Sequence, residues 1–265
     1  MNELEDALAE DPFDESQWLV LEDWLLQHGD PRARLVELEK QGLPTRDALD
    51  RLAPQLLGTQ HAKLREHLYQ QNWRAGYLRE CQFTGNGDLI AALVAAPATR
   101  LLRSLVLTMH LDTLDRAVGL FAEAPCGRSL RIVGLSSWSE SKPIAVAGST
   151  LEKLPELRHL ILRGVYVDAP PRLAKLDALT LAPMRLGVTR LHDQLKQHRW
   201  PRVTTLTIEY PEMHETDFDH QLPASAAAVM PAVRRIRVTG IPRERLAMIE
   251  RTLVDRGLAL ELITR

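Results

Sequence analysis

Four groupings of side chains in this sequence have the residue types that chemistry uses. The first is "LEDWLLQHGDPR", Leu21–Arg32, where Glu22, Asp23 and Asp30 stand close to His28. Carboxylates that converge on a cleft, with or without a histidine, can perform general acid–base work. Glu22 and Asp23 are neighbours, however, and on a helix neighbours project about 100° apart. The second is "EMHETDFDHQL", Glu212–Leu222, with His214, Asp217, Asp219 and His220. A metal site needs a defined spacing such as HExxH on a rigid element, and this stretch has none. In "TGNGDLIAAL", Thr84–Leu93, Gly85 and Gly87 begin a dinucleotide fingerprint, but Ile90 stands where the third glycine belongs. "GLSSW" from Gly134 lacks the closing glycine of a GxSxG nucleophile elbow. The expectation is a chain that is not an enzyme and carries no metal or cofactor.

The acids around Leu21–Arg32 read better as helix punctuation. Asp14 and Gln17 have capping-box spacing, with Asp in place of Ser or Thr. Trp18, Leu21 and Leu25 then recur at helical spacing, and Glu22 is expected to face solvent. Gly29 should end that helix in the left-handed conformation. Asp30 and Pro31 suit the cap and first position of the next helix, whose face carries Leu35 and Leu38. A further helical stretch starts at the candidate cap Thr45; Leu57, His61, Leu64 and Leu68 share its face, and Pro54 should kink or split it.

"LAEDPFDESQWLVLEDWLLQHGDPRARLVEL" resembles the repeat-companion domain, a short helical module at the N-terminus of many bacterial leucine-rich-repeat proteins. Asp11, Pro12, Asp14, Asp23, Trp24, Leu25, Gly29, Asp30, Pro31 and Arg32 match its DPxD…DWL…GDPR pattern, while Glu22 and His28 depart from it. "NWRAGYLRECQF", Asn72–Phe83, is similar to the aromatic-Arg-x-Gly-aromatic segment by which such modules enter their repeats. The resemblance implies no catalytic activity.

The body is a degenerate repeat. The pattern apolar-x-x-apolar-x-apolar begins at Leu78, Leu102, Leu130, Leu157, Leu176, Val203 and Val233, and "LALEL" follows from Leu258. Successive starts are 24, 28, 27, 19, 27, 30 and 25 residues apart, close to the 20–29 residue period of leucine-rich repeats. Leu114, Val118 and Phe121 make a helical stripe between two of the strings, and Leu246, Ile249 and Leu253 make another, closed by Gly257. The 19-residue unit Leu157–Lys175, with Pro170 and Pro171, has room only for a turn or a single helical turn. Only Asn86 occupies the ninth position where the repeat consensus has Asn or Cys; His110, Trp138, Val165, Met184, Pro211 and Ile241 stand in the others. The expected architecture is α/β. A small helical module, residues 1–72, caps a leucine-rich-repeat-like solenoid, residues 73–265, of about eight strand units with a parallel sheet on its concave face.

Charge and composition narrow the partners. Residues 1–72 hold 15 acidic and 7 basic side chains, and the remainder 20 and 26, within a net charge of −2. There is no apolar run long enough for a membrane span. The acidic opening "MNELEDALAEDPFDE" has no basic n-region followed by an apolar core. Cys81 and Cys126 show no CxxC spacing, and Cys81 takes an inward strand position. A cytoplasmic protein is expected.

The exposed strand positions are candidate partner contacts. The second position of successive strings reads Arg79, Arg103, Arg131, Arg158, Asp177, Thr204 and Arg234, with His159, Arg163, Arg235 and Arg237 near it. Strands lie about 4.8 Å apart, so these arginines would form a basic column on the concave face. Such a column suits a protein partner; the alternatives are an anion or nucleic-acid backbone, which is less favoured, and a solvated face whose charges merely keep the sheet soluble. The acidic head could also fold onto it. A terminal strand with one open edge would admit a second copy of the chain as a weak homodimer.

Overall fold

The protein, seen here in a computed structural model, is described over residues 2–109, 113–137, 144–169, 171–182, 200–210 and 222–240, with 247, 249–251, 253 and 259–262. Two compact units divide it: Met1–Met109 with Arg116–Arg131, and His110–Asp115 with Ile132–Arg265. Both are α/β; among the described residues the first has one antiparallel and one parallel strand pairing, and the pairings of the second are parallel. Among the described residues no helix is long and apolar enough to cross a membrane.

The first unit opens with five helices: α1 (Asn2–Glu10), α2 (Glu15–Gln27), α3 (Ala33–Lys40), α4 (Arg46–Leu57) and α5 (His61–His67). Asp14 caps α2 by accepting the Ser16 and Gln17 amides at 2.8 and 3.2 Å. The helix ends as its sequence dictates. Gly29 sits at φ 61, and the Asp30 amide reaches back to the Leu25 carbonyl at 3.1 Å, closing the C-terminus as a Schellman motif. Asp30 then accepts the Arg32 amide at 2.9 Å, one residue ahead of α3. The backbone runs as helix through Pro54, and the break falls instead at Gly58, φ 76. The described turn after Pro171 contains no helix, as its length allows.

The hairpin that follows was not evident in the sequence. β1 (Leu68–Arg74) pairs antiparallel with β2 (Tyr77–Thr84), and β2 pairs parallel with β3 (Ser104–Met109). Ala75 and Gly76 make its turn with φ values of 48 and 78, the pair of positive angles that a two-residue hairpin needs. α6 (Gly87–Ala95) packs between these strands in sequence, with Asn86 as its cap, accepting the Leu89 amide at 3.1 Å. Asn86 thus acts as a helix N-cap. Val165 lies in a short strand, and His110, Trp138, Met184, Pro211 and Ile241 lie outside the described residues.

The hairpin turn is gripped by the helical head. Trp18, Leu21, Leu25, Val36, Ala75, Tyr77 and Leu101 form one buried cluster, with the Trp18 and Tyr77 rings edge-on at 6.0 Å. Arg74 binds Glu22 at 2.7 Å and also Glu15, and lies 5.0 Å over the Trp18 ring. The Ala75 amide donates to the Glu39 carboxylate at 3.1 Å. Arg32 stacks 4.9 Å over Tyr77, while the Tyr77 hydroxyl donates to buried Glu5. Glu22 is therefore 6% exposed, not turned to solvent as expected, because Arg74 supplies its counter-charge inside the fold. Burial raises the Glu39 pKa, whereas the bond from Arg32 lowers that of Asp30.

The second unit holds β4 (Ile132–Ser137), β6 (His159–Arg163), β8 (Ala178–Ala182), β9 (Thr205–Glu209), β10 (Arg235–Thr239) and β11 (Ala259–Leu262), hydrogen-bonded in that order. All five pairings are parallel. Two short strands, β5 (Ile144–Val146) and β7 (Val165–Val167), pair separately. Register aligns Val133, Leu160, Leu179, Leu206 and Ile236 in one buried row, and Leu135, Leu162, Leu181, Ile208 and Val238 in the next. Alternation puts the intervening residues on the opposite face. α7 (Leu114–Glu123), whose residues from Arg116 belong to the first unit, buries Leu114, Val118 and Phe121; in the second unit Ile249 and Leu253 are buried, while Leu246 and Gly257 lie outside the described residues.

A Cβ at Gly76 would meet the Arg32 side chain at 2.8 Å and would also have to adopt φ 78. Gly76→Ala should therefore lower unfolding free energy by about 2 kcal/mol in urea denaturation. Gly87→Ala, with nothing within 4 Å of the added carbon, should stay within about 0.5 kcal/mol of the parent.

Candidate functional site

The acids that opened the sequence each have a cation of their own. Glu22 pairs with Arg74, Asp23 with Lys40 at 3.0 Å, and Asp30 with Arg32 at 2.9 Å. His28 stacks on Trp24 at 4.1 Å, and its Nδ1 lies 2.8 Å from the Trp24 carbonyl. The glycines of Thr84–Leu93 also have a packing explanation, since a Cβ at Gly85 would strike the Phe83 ring at 2.6 Å. His214, Asp217, Asp219 and His220 lie outside the described residues. Cys81 and Cys126 are buried free thiols; burial raises both pKa values, that of Cys126 to about 12.

The arginine positions form real backbone rows. In the first unit the Arg103 amide donates to Arg79 at 2.8 Å, and the Arg131 amide to Arg103 at 2.9 Å. In the second, Asp177 donates to Arg158 at 3.0 Å, Thr204 to Asp177 at 2.8 Å, and Arg234 to Thr204 at 2.9 Å. These bonds align the second positions of neighbouring strings, as the repeat register predicts. What the guanidiniums do differs between the units.

In the first unit the head consumes them. Arg131, 2% exposed, reaches the Ala9 and Glu10 carbonyls at the end of α1 at 3.2 and 2.5 Å. Arg79, 7% exposed, donates to the Pro12 carbonyl at 3.3 Å and stacks 4.9 Å over Trp18. Its Nε has no hydrogen-bond partner among the described residues, and burial lowers its pKa. Arg103 binds Glu80 at 3.0 Å and covers the Phe13 ring at 4.8 Å. Arg79 and Arg131 are not surface contacts, contrary to the exposure expected from the repeat pattern. The Asp11–Phe13 turn and the end of α1 lie over that row, which a strand pattern alone does not reveal.

In the second unit Arg158, Arg234 and Arg235 are exposed, whereas His159, Arg163 and Arg237 are half-buried. Arg163 is held by Glu209 through a two-pronged pair at 2.9 and 3.3 Å. His159 Nε2 lies 2.7 Å from Thr180 Oγ1, one strand away. Arg235 and Arg237 align with Thr205 and Thr207 on β9, and Arg237 with Glu261 on β11. This face mixes cations and hydroxyls with the apolar Ile132 and Ile161 and the small residues Gly134, Ala178 and Ala182. Its cations and hydroxyls suit binding of carboxylates and backbone carbonyls.

No protein-family model matches the chain, and no curated protein or solved structure matches it either.

Burial lowers the His159 pKa and outweighs the opposing pull of Asp177 and Glu209; Arg163 and Arg237 lower it further. NMR should place its titration midpoint below the ordinary 6.5, and Asp177→Asn should move it lower still. Because the unfolded chain takes up this proton first as pH falls, the associated stability is present above about pH 6.5 and is lost on acidification.

Proposed function

We propose that the chain is a non-catalytic recognition protein: a repeat-companion-type helical head followed by leucine-rich-repeat-like units that bind a protein partner through the open sheet face. The observation that carries this reading is the ladder of second positions ending in exposed Arg158 and Arg234, with exposed Arg235 beside it. A parallel sheet offering one such position per unit provides regularly spaced contacts on a rigid support. The match of Asp11–Arg32 to the DPxD…GDPR pattern supports the head's assignment, and two buried free thiols support a reducing, cytoplasmic setting. The engagement of Glu22, Asp30 and His28 in structural contacts favours recognition over catalysis.

The experiment is quantitative capture from host lysate, comparing wild type with an Arg158→Glu, Arg234→Glu, Arg235→Glu variant that retains its circular dichroism spectrum. A protein retained by wild type should drop at least tenfold on the variant, about 1.4 kcal/mol, while Arg116→Glu on α7 leaves it in place. Equal retention by all three baits sinks this assignment of the face. Retention of nucleic acid, with affinity falling steeply as salt rises, would transfer the function to phosphate backbones.

A further inference from the structure

The helical head, the hairpin turn and the helical turn Pro97–Leu101 line a cavity of about 480 Å³ in the first unit, a size that suits a small molecule. Leu56, Val94, Pro97 and Pro125 give it apolar walls, and its ions stand in two pairs. Asp30 and Arg32 are locked by two bonds of 2.9 Å, with Arg32 also over the Tyr77 ring. Glu5 and Arg100, 2.8 Å apart, are joined more loosely. Glu5 is 3% exposed, and its Oε1 accepts the Tyr77 hydroxyl. Its Oε2, the oxygen nearest Arg100, has no hydrogen-bond partner among the described residues. Arg100 thus neutralises that oxygen without an aligned N–H, although buried carboxylates are normally hydrogen-bonded. Arg100 has a further tie of its own: its side chain is 34% exposed, and its second terminal nitrogen holds exposed Asp6 at 3.1 Å.

We propose that this cavity binds a small organic amine, whose ammonium takes the place of Arg100 at Glu5 Oε2 while Arg100 stays with Asp6. The exchange keeps every charge compensated. Arg100 can leave Glu5 because it retains an acid, but Glu5 cannot stand alone, since an unpaired buried carboxylate is strongly disfavoured. The replacement must therefore be a cation. It must also supply the aligned N–H that Oε2 lacks, and an ammonium group carries donors in several directions. The walls set the rest of the molecule, an apolar body that packs against Leu56, Val94, Pro97 and Pro125. An anion finds no opening here, because each of the two lining arginines already holds a carboxylate. A neutral donor would leave Arg100 where it is, across the oxygen. The site lies wholly within the first unit and does not depend on the sheet face of the second.

The probe is benzylamine at millimolar concentration, added to the full-length chain and followed by thermal unfolding beside benzyl alcohol, benzoate and ammonium chloride. Only benzylamine should raise Tm, by about 3 °C near saturation. Arg100→Ala removes the resident cation and bares Glu5, so its Tm should fall, and benzylamine should then give about twice the parent's shift. Ala95→Trp fills the cavity from an exposed position on its lining; it should keep the parent circular dichroism spectrum and lose the shift. If Arg100→Ala does not fold, Ala95→Trp and the benzyl alcohol control carry the test. No shift with benzylamine overturns the proposal, as does an equal shift with benzyl alcohol, which would mark an apolar cavity indifferent to charge. A shift with benzoate that disappears in Arg100→Ala also overturns it, making Arg100 the holder of an anion. A benzylamine shift that persists in Ala95→Trp puts the amine elsewhere on the chain and removes the site.

Discussion

Arg74 is the residue on which the first unit turns. It leaves β1 just before a two-residue hairpin turn, and its guanidinium meets Glu22, Glu15 and the face of Trp18. Glu22 is nearly without solvent, so the charge of each depends on the other; losing one member of such a pair leaves an uncompensated ion in a low-dielectric setting. Around it the head and hairpin share further contacts: Glu39 with the Ala75 amide, Arg32 over Tyr77, Tyr77 with Glu5. The acidic head is held on the strands by directed charge-assisted bonds wrapped around one apolar cluster, a combination that sets position as well as affinity.

That grip has a consequence for the arginine rows. With the head fixed on the hairpin, the end of α1 and the Asp11–Phe13 turn come over Arg79, Arg103 and Arg131, whose charges are spent on carbonyls, a ring and Glu80. The head thus covers these basic strand positions mainly with carbonyl oxygens and a ring; of its carboxylates, Glu15 comes to 3.8 Å from Arg79. The second unit has a row of the same backbone register with Arg158 and Arg234 in solvent. One residue type at one repeat position serves as internal glue or as exposed surface, according to what lies above it.

Much of the secondary structure was legible because its signals are local. Asp14, Gly29 and Asn86 act where their types and neighbours require, by accepting amides or by entering the left-handed region. The repeat strings became β2, β3, β4, β6, β8, β9, β10 and β11 because period-two alternation within a six-residue string already separates a buried row from an open one. The β1 strand carries no such signal. Its burial pattern is mostly exposed, so no alternation marks it, and the Ala75–Gly76 turn lacks the asparagine or aspartate that usually announces such a hairpin.

By itself, then, the sequence determined the start and end of α2 and the start of α6, the alignment of the second positions and the apolar rows, all of which follow from capping chemistry and periodicity. Only the tertiary structure decided which charges are buried. Glu22 and Arg74 are 52 residues apart and Arg131 and Glu10 are 121 apart, and neither partner's local pattern contains the other. A side chain's exposure is set by whatever distant segment packs over it, so the same arginine pattern reads alike in both units until the fold covers one row and leaves cations of the other in water.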